Sequence, residues 1–174
     1  MNSIKIFPGW TSKSYDGLKE GRRIRLDNKD LNTTNKNFPD HVIKAGATVY
    51  QGGVNLSFGP EYVNLNLSGV YPNHTEVEVV KLFKGRFINE IDIKERRKVI
   101  VLHKKTAEIL FDKTHTDPIG QFVNAGNVVY QVVGLYNDKG DSGDSDAYLP
   151  FTTLQTIYNK GDKLNNLIMT TTVS

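Results

Sequence analysis

Residues Val63, Leu65 and Leu67 alternate strictly with Asn64, Asn66 and Ser68. A period of two sends the apolar side chains to one face and the polar ones to the other, so the stretch reads as a strand with one buried and one wet side. Just before it, Val42, Ile43, Thr48, Val49 and Tyr50 lead into a second extended run, and Gly59-Pro60 supplies turn chemistry between the two arms. The pattern predicts a β-hairpin within a run of strands over residues 42 to 71. Such a hairpin must find more strands or a layer of helices to cover its apolar face.

The rest of the chain offers both. The opening segment holds two short apolar stretches around a Gly-rich turn, with Ile24 and Leu26 alternating against Arg23 and Arg25 as in a half-buried strand. Asp27 is placed to cap a short helix over Asn28 to Asn37 that buries little beyond Leu31, and Pro39 ends it. In "PNHTEVEVVKLFKGR" the period lengthens towards 3.6, Asn73 stands in a capping-box relation to Glu76, and Gly85 is placed to close the predicted helix. Val99 to Leu102 predicts a strand, followed by a short helix carrying Ala107, Ile109, Leu110 and Phe111.

Asp117-Pro118-Ile119-Gly120 stops that helix. Phe122 and Val123 begin a strand, Asn124 to Asn127 turn it, and Val128 to Tyr136 form a nearly continuous buried strand in which Gly134 marks a close backbone approach or a bend. An acidic loop precedes Ala147 to Pro150, Thr152 or Thr153 caps a last helix ended by Gly161, and residues 167 to 173 read as a final strand.

Bulk properties narrow the function. With 174 residues and 38% hydrophobic content the chain can bury a real core as one domain or two small lobes. The net charge of +3 arises from runs of mixed sign, such as Lys19-Glu20-Gly21-Arg22-Arg23 and Lys94-Glu95-Arg96-Arg97-Lys98, which are solvated faces rather than a nucleic-acid footprint. The absence of cysteine excludes disulfides, zinc–thiolate sites and thiol nucleophiles. No apolar run approaches the roughly 20 residues that span a bilayer, and no signal-peptide pattern opens the chain, which taken alone indicates a cytoplasmic protein.

Chemistry-bearing motifs are missing. Asp138, Asp141, Asp144 and Asp146 share one loop but lack the glycine and glutamate positions of an EF-hand, so a solvated hairpin tip is the simpler reading. His41, His74, His103 and His115 show no metal-ligand spacing and read as surface or turn residues. No phosphate-cradling glycine loop and no GxSxG elbow occur, and Gly52-Gly53 reads as a strand turn. The residues thus predict no catalytic, cofactor-binding or metal site, and no cofactor.

Several segments together resemble the extracytoplasmic core domain of MacB-type ABC-transporter permeases. In "TSKSYDGLKEGRRIRLDNKDL" the shared positions are Gly17, Leu18, Gly21, Arg22, Ile24, Leu26, Asp30 and Leu31. Downstream come the Gly69-Val70 pair, Gly85-Arg86-Phe87, Asp92, Arg97 with the apolar strand to Leu102, then "AEILF", "DPIGQFV", "YQVVGLY" and "YLPFTTLQ" in order. The resemblance implies an α+β fold of two lobes: residues 1–75 as the first half of a membrane-proximal α/β lobe, 76–163 as an inserted β-rich lobe, and 164–174 as a returning strand. It places the domain on the periplasmic side of the bacterial inner membrane. It also implies a non-catalytic role that couples cytoplasmic ATP hydrolysis to extrusion of a drug, peptide or lipoprotein.

The implied partners are an ABC ATPase reached through flanking membrane helices, a periplasmic adaptor protein and a second permease copy, with no nucleic acid. The chain departs from the pattern in carrying neither those helices nor a nucleotide-binding domain, and in stopping where a second membrane-proximal half is expected. The competing expectation is a secreted carbohydrate- or protein-binding β-rich module, its ligand held by the loops at Asp138 to Asp146 and Gly52 to Phe58 with exposed rings such as Trp10 or Tyr62.

Overall fold

The structure, a computed structural model, describes residues 2–37, 42–78, 80–138 and 147–171. In chain order the first elements are β1 (Asn2–Ile6), β2 (Leu26–Asp27), α1 (Asn28–Asn37), β3 (Val42–Phe58), β4 (Glu61–Val70), α2 (His74–Val77) and β5 (Val80–Gly85). There follow α3 (Glu90–Glu95), β6 (Val99–His103), α4 (Lys104–Phe111), a 3-10 turn at Asp112–Thr114, β7 (Phe122–Ala125) and β8 (Val128–Asp138). β9 (Ala147–Pro150), α5 (Phe151–Ile157), β10 (Lys163–Leu164) and β11 (Asn166–Thr171) complete the α+β architecture.

The hairpin forms where the alternation places it, turning at Gly59 with φ +56°. β3 is one long strand with two sets of neighbours: Val42–Thr48 pairs with β11, and Val49–Phe58 pairs with β4. Gly52-Gly53 is therefore a bulge inside a continuous strand and not a turn. The pairing register shifts between Gln51 and Val54, and Gly53 supplies the left-handed φ of +65°.

The large sheet runs β1-β11-β3-β4-β9-β6-β8-β5. β7 also pairs with β8 along its length and with β3 at Leu56 and Ser57. Pairings thus close a ring, β3-β4-β9-β6-β8-β7 and back to β3, drawing strands from both sides of residue 75. Its strands are covered on both faces: Leu56, Leu67, Ile100, Val101, Val123, Tyr130, Val132 and Leu149 are 0% exposed, and the consecutive Ile100 and Val101 point to opposite sides. α4 and α5 cover the sheet with Leu110, Phe111, Phe151 and Leu154. α5 comes so close that a Cβ on Gly69 would lie 2.9 Å from Leu154 Cβ.

α1 spans the residues its sequence predicts. Asp27 Oδ1 accepts from the Lys29 and Asp30 amides at 2.7 and 3.1 Å, and Leu31 is buried. Pro39 lies outside the described residues. The predicted helix over 73 to 85 is corrected: only His74–Val77 is helical, Asn73 makes no side-chain cap bond, and Val80–Gly85 is strand β5. "EVEVV" is also a period-two pattern of β-branched residues, and antiparallel pairing with β8 from Val80↔Asp138 to Gly85↔Gly134 decides between the two periods. β5 is an outermost strand that exposes Leu82 and Phe83 between Lys81 and Lys84, with a register shift between Leu82 and Lys84.

Two other local expectations change. Thr152 and Thr153 sit inside α5 and cap nothing; they donate across to the Ile93 and Arg97 carbonyls at 2.6 and 2.9 Å. At the end of that helix Asn159, with φ +49°, takes the left-handed position before Gly161 does. In the opening segment only Leu26 and Asp27 of the expected strand pair regularly, with β10. Residues 7 to 25 instead fold back on themselves through Thr11 N–H to Arg22 O (2.9 Å), Gly21 N–H to Thr11 O (2.8 Å) and Ile24 N–H to Gly9 O (2.8 Å). Phe7, Trp10, Tyr15, Leu18 and Ile24 remain exposed on that arm.

Candidate functional site

The segments that carry the family resemblance converge on one carboxylate. Asp92 is fully buried, and its side chain accepts a bidentate pair from Arg86 at 2.6 and 3.1 Å. The same side chain accepts from the Asn89 amide at 3.0 Å while Asn89 Oδ1 accepts from the Asp92 amide at 2.9 Å, a reciprocal cap at the start of α3. Arg97 donates its amide to the Asp92 carbonyl at 3.0 Å, and its guanidinium lies 4.0 Å from the carboxylate. The capping box expected at Asn73 and Glu76 does not form, and the one present follows the Asn89-x-x-Asp92 spacing, which the sequence also carries.

Other blocks lock onto the same knot. The Arg86 amide donates to Val133 O at 2.9 Å, and a Cβ on Gly134 would collide with the Arg86 carbonyl oxygen, so only glycine lets β8 pass here. Gly120, at φ +87° after the Asp117-Pro118 turn, donates to Val132 O at 2.8 Å. Asp117 holds that turn by accepting from the Ile119 amide at 3.1 Å, and the Lys84 ammonium beside it lowers its carboxyl below the ordinary value. The carboxylate at the centre of the knot is committed to hydrogen bonds within the fold, so this arrangement fixes shape.

The histidines are not all surface groups. His74 and His103 are buried at 5% and 4% exposure, correcting the reading as surface or turn residues. His103 Nδ1 accepts from the Lys105 amide at 3.2 Å at the start of α4, and its ring meets Tyr136 edge-on at 5.1 Å. His74 faces Tyr148 at 5.1 Å, and Tyr148 continues to Tyr136 at 4.8 Å. Burial, aided by Lys5 and opposed by Glu78, holds the His74 imidazole down at about 4. His115 occupies a left-handed turn position and His41 lies outside the described residues.

Among the described residues no group of three or more His, Cys, Asp or Glu could hold a metal ion, and no helix is long and apolar enough to cross a membrane. Of the acidic loop, Asp138 ends β8 and residues 139–146 lie outside the described residues. Trp10 and Tyr62 are both exposed, on separate elements, and among the described residues neither stacks on another ring.

The first and last strands lie side by side. β1 and β11 are antiparallel, with Asn2 opposite Thr171 and Ile6 opposite Leu167. The chain therefore enters and leaves this fold at neighbouring positions.

Comparison with known proteins matches the MacB-like periplasmic core domain over residues 1–173. The macrolide export ATP-binding/permease protein MacB of Rhodopseudomonas palustris (strain BisB18) is 25% identical over 172 residues, covering 97% of this chain and 25% of that protein. The MacB of Neisseria meningitidis serogroup B is 28% identical over 157 residues, 88% of this chain and 23% of that protein. The chain thus spans about a quarter of the length of these relatives. The periplasmic region of MacB from Actinobacillus actinomycetemcomitans shares the fold with a TM-score of 0.79 at 23% identity, over 98% of this chain and 75% of that one. So does the extracellular domain of the noncanonic ABC-type transporter YknZ, with a TM-score of 0.75 at 22% identity, over 99% and 85%. Matched along its length and alike in fold, the chain belongs to the MacB-like periplasmic core domain family of ABC-type transporters.

Proposed function

We propose that this chain is the non-catalytic extracytoplasmic domain of an export permease, transmitting motion driven by cytoplasmic ATP hydrolysis to extrusion of a drug, peptide or lipoprotein. The observation that carries the reading is the pairing of Asn2 with Thr171. Membrane helices joined there would leave side by side, and their displacement would enter the sheet through β1 and β11 together. β11 hands it to β3, whose 17 residues extend roughly 55 Å and run on into the closed ring. An ATPase module would then act through those helices, and a periplasmic adaptor and a second permease copy would meet the remaining surface. The named export activity of the relatives supports the same reading.

On this reading residues 1–75 and 164–174 form the membrane-proximal side and 76–163 the inserted β-rich part, the two joined into one ring by the β3–β7 and β4–β9 pairings. For a glycan-binding module the rings expected to pair, Trp10 and Tyr62, are not paired with any ring among the described residues. The test uses the full-length transporter with residues 2–171 replaced by a short linker, which the adjacency of the ends permits. Basal ATP hydrolysis should persist while export is lost. Export that continues unchanged, or ATP hydrolysis by the isolated chain, would overturn the proposal.

A further inference from the structure

Between the base of the 7–25 arm and the β2–β10 pair lies a groove of about 360 Å³, in the range of about 300–1,000 Å³ typical of small-molecule sites. Leu26, Val49 and Leu164, all buried, form its apolar floor. Pro8, Ile24 and Tyr50 line it further, with Ile24 and Tyr50 left 44% and 42% exposed. Its polar backbone is built in: the Tyr50 amide donates to Asn165 Oδ1 at 3.0 Å and the Asn165 amide to Thr48 O at 2.8 Å.

Four cations line this groove, Arg23, Arg25, Lys160 and Lys163, and no carboxylate does. Elsewhere several lysines and arginines of this chain are paired, as in Lys5–Glu78, Lys44–Glu76, Lys84–Asp117 and Lys113–Glu61. Among the described residues none of the four groove cations makes an ion pair. The nearest carboxylates in sequence are Asp27, which is occupied in capping α1, and Asp162, which is exposed and outside the lining. The chain has 22 basic and 19 acidic residues, so without these four the balance would be 18 to 19. The four positive charges in this one groove with an apolar floor alone exceed the net charge of +3 of the whole chain.

We infer that this groove binds an anionic amphiphile, a single molecule with an acidic head group and an aliphatic body. Unpaired cations supply the attraction for the head, and the leucine, valine and isoleucine surfaces supply apolar burial for the body. A purely ionic ligand would leave the floor unused, and a neutral apolar one would leave four like charges uncompensated around it. An extended polyanion would need a continuous cationic ridge, which the mixed-sign runs elsewhere on the chain do not provide. The inference does not depend on the transport reading, because binding is measured on this chain alone.

The test is calorimetry of this chain with dodecanoate below its micelle concentration, beside hexanoate, dodecyl maltoside, inorganic phosphate and an acidic peptide. Saturable one-to-one binding of dodecanoate is expected, with the shorter, uncharged and purely ionic probes each at least about tenfold weaker. Arg25→Glu combined with Lys163→Glu changes two exposed side chains and should weaken dodecanoate about tenfold or more, while the thermal midpoint stays unchanged. Ile24→Asp, also at an exposed position, should weaken it independently. No saturable binding, or binding indifferent to these variants, would overturn the inference. So would tighter binding of the acidic peptide, or binding to phosphatidylglycerol vesicles without binding to monomeric dodecanoate, since those outcomes assign the groove to a protein segment or a bilayer surface.

Discussion

The ring of strands and the 7–25 arm use the same kinds of residue in opposite ways. In the ring Leu56, Leu67, Ile100 and Tyr130 have 0% exposure, whereas Phe7, Trp10 and Tyr15 on the arm are 64, 69 and 80% exposed. Burial contributes roughly 25 cal/mol per Å² of apolar surface, so the ring is held by its side chains. The arm forgoes that term and is held by a few backbone hydrogen bonds that fold it back on itself. The difference teaches where substitution is read as stability and where it is read only as surface chemistry.

The comparison breaks most readily at Gly134. In Gly134→Ala the new Cβ meets backbone rather than a yielding side chain, and the loss should be about 3 kcal/mol or more in urea unfolding. An unchanged midpoint would mean that β8 and the segment at Arg86 can separate at little cost. Next comes acid. His74 titrates near 6.5 when unfolded and at about 4 in the fold, so between those values the unfolded chain holds a proton that the native chain refuses. Stability contributed by the neutral imidazole is complete above pH 6.5, falls as the pH drops towards 4, and levels off below. The difference across that window should approach about 3 kcal/mol, and His74→Gln should flatten it in parallel unfolding curves at pH 7 and pH 4.

A smaller effect is expected at Gly120. Its φ of +87° strains a β-branched residue, yet nothing lies within 4 Å of a Cβ there, so Gly120→Val should lose only about 1–2 kcal/mol through the backbone. A loss as large as that at Gly134 would show that the turn is packed more tightly than its open surroundings indicate. Smallest of all, Tyr15→Ala on the arm should change stability by no more than about 0.5 kcal/mol. A larger loss would erase the distinction between arm and ring.

Local patterns were legible where one period dominated. The alternation at Val63 to Leu67 and the Asp27 cap need only nearby residues, and each stands as the sequence indicates; the run of β8 forms its strand but is buried continuously only from Gly134 to Tyr136, with Val129 45% exposed. Residues 76 to 85 carried both periods at once, and pairing with β8, some fifty residues away, decided for strand. The closure of β7 onto β3 through Leu56↔Ala125 is equally remote. The Asp92 knot was hidden for another reason: a buried carboxylate resembles a solvated one in sequence until Arg86 and Asn89 are seen to close around it. The four groove cations are divided between residues 23–25 and 160–163, so no window along the chain contains them.

Closing β3 to β9 and β6 to β8 into a ring leaves β1 and β5 as the outermost strands of the large sheet. An open strand edge invites the edge of another molecule, and β5 meets that invitation with Lys81, Lys84 and an irregular register. Two copies brought together on this side would oppose the Lys81 ammonium groups and mismatched backbones before they could share a hydrogen bond. The strand that the sequence pattern disguised as a helix is therefore also the edge that resists pairing with another molecule.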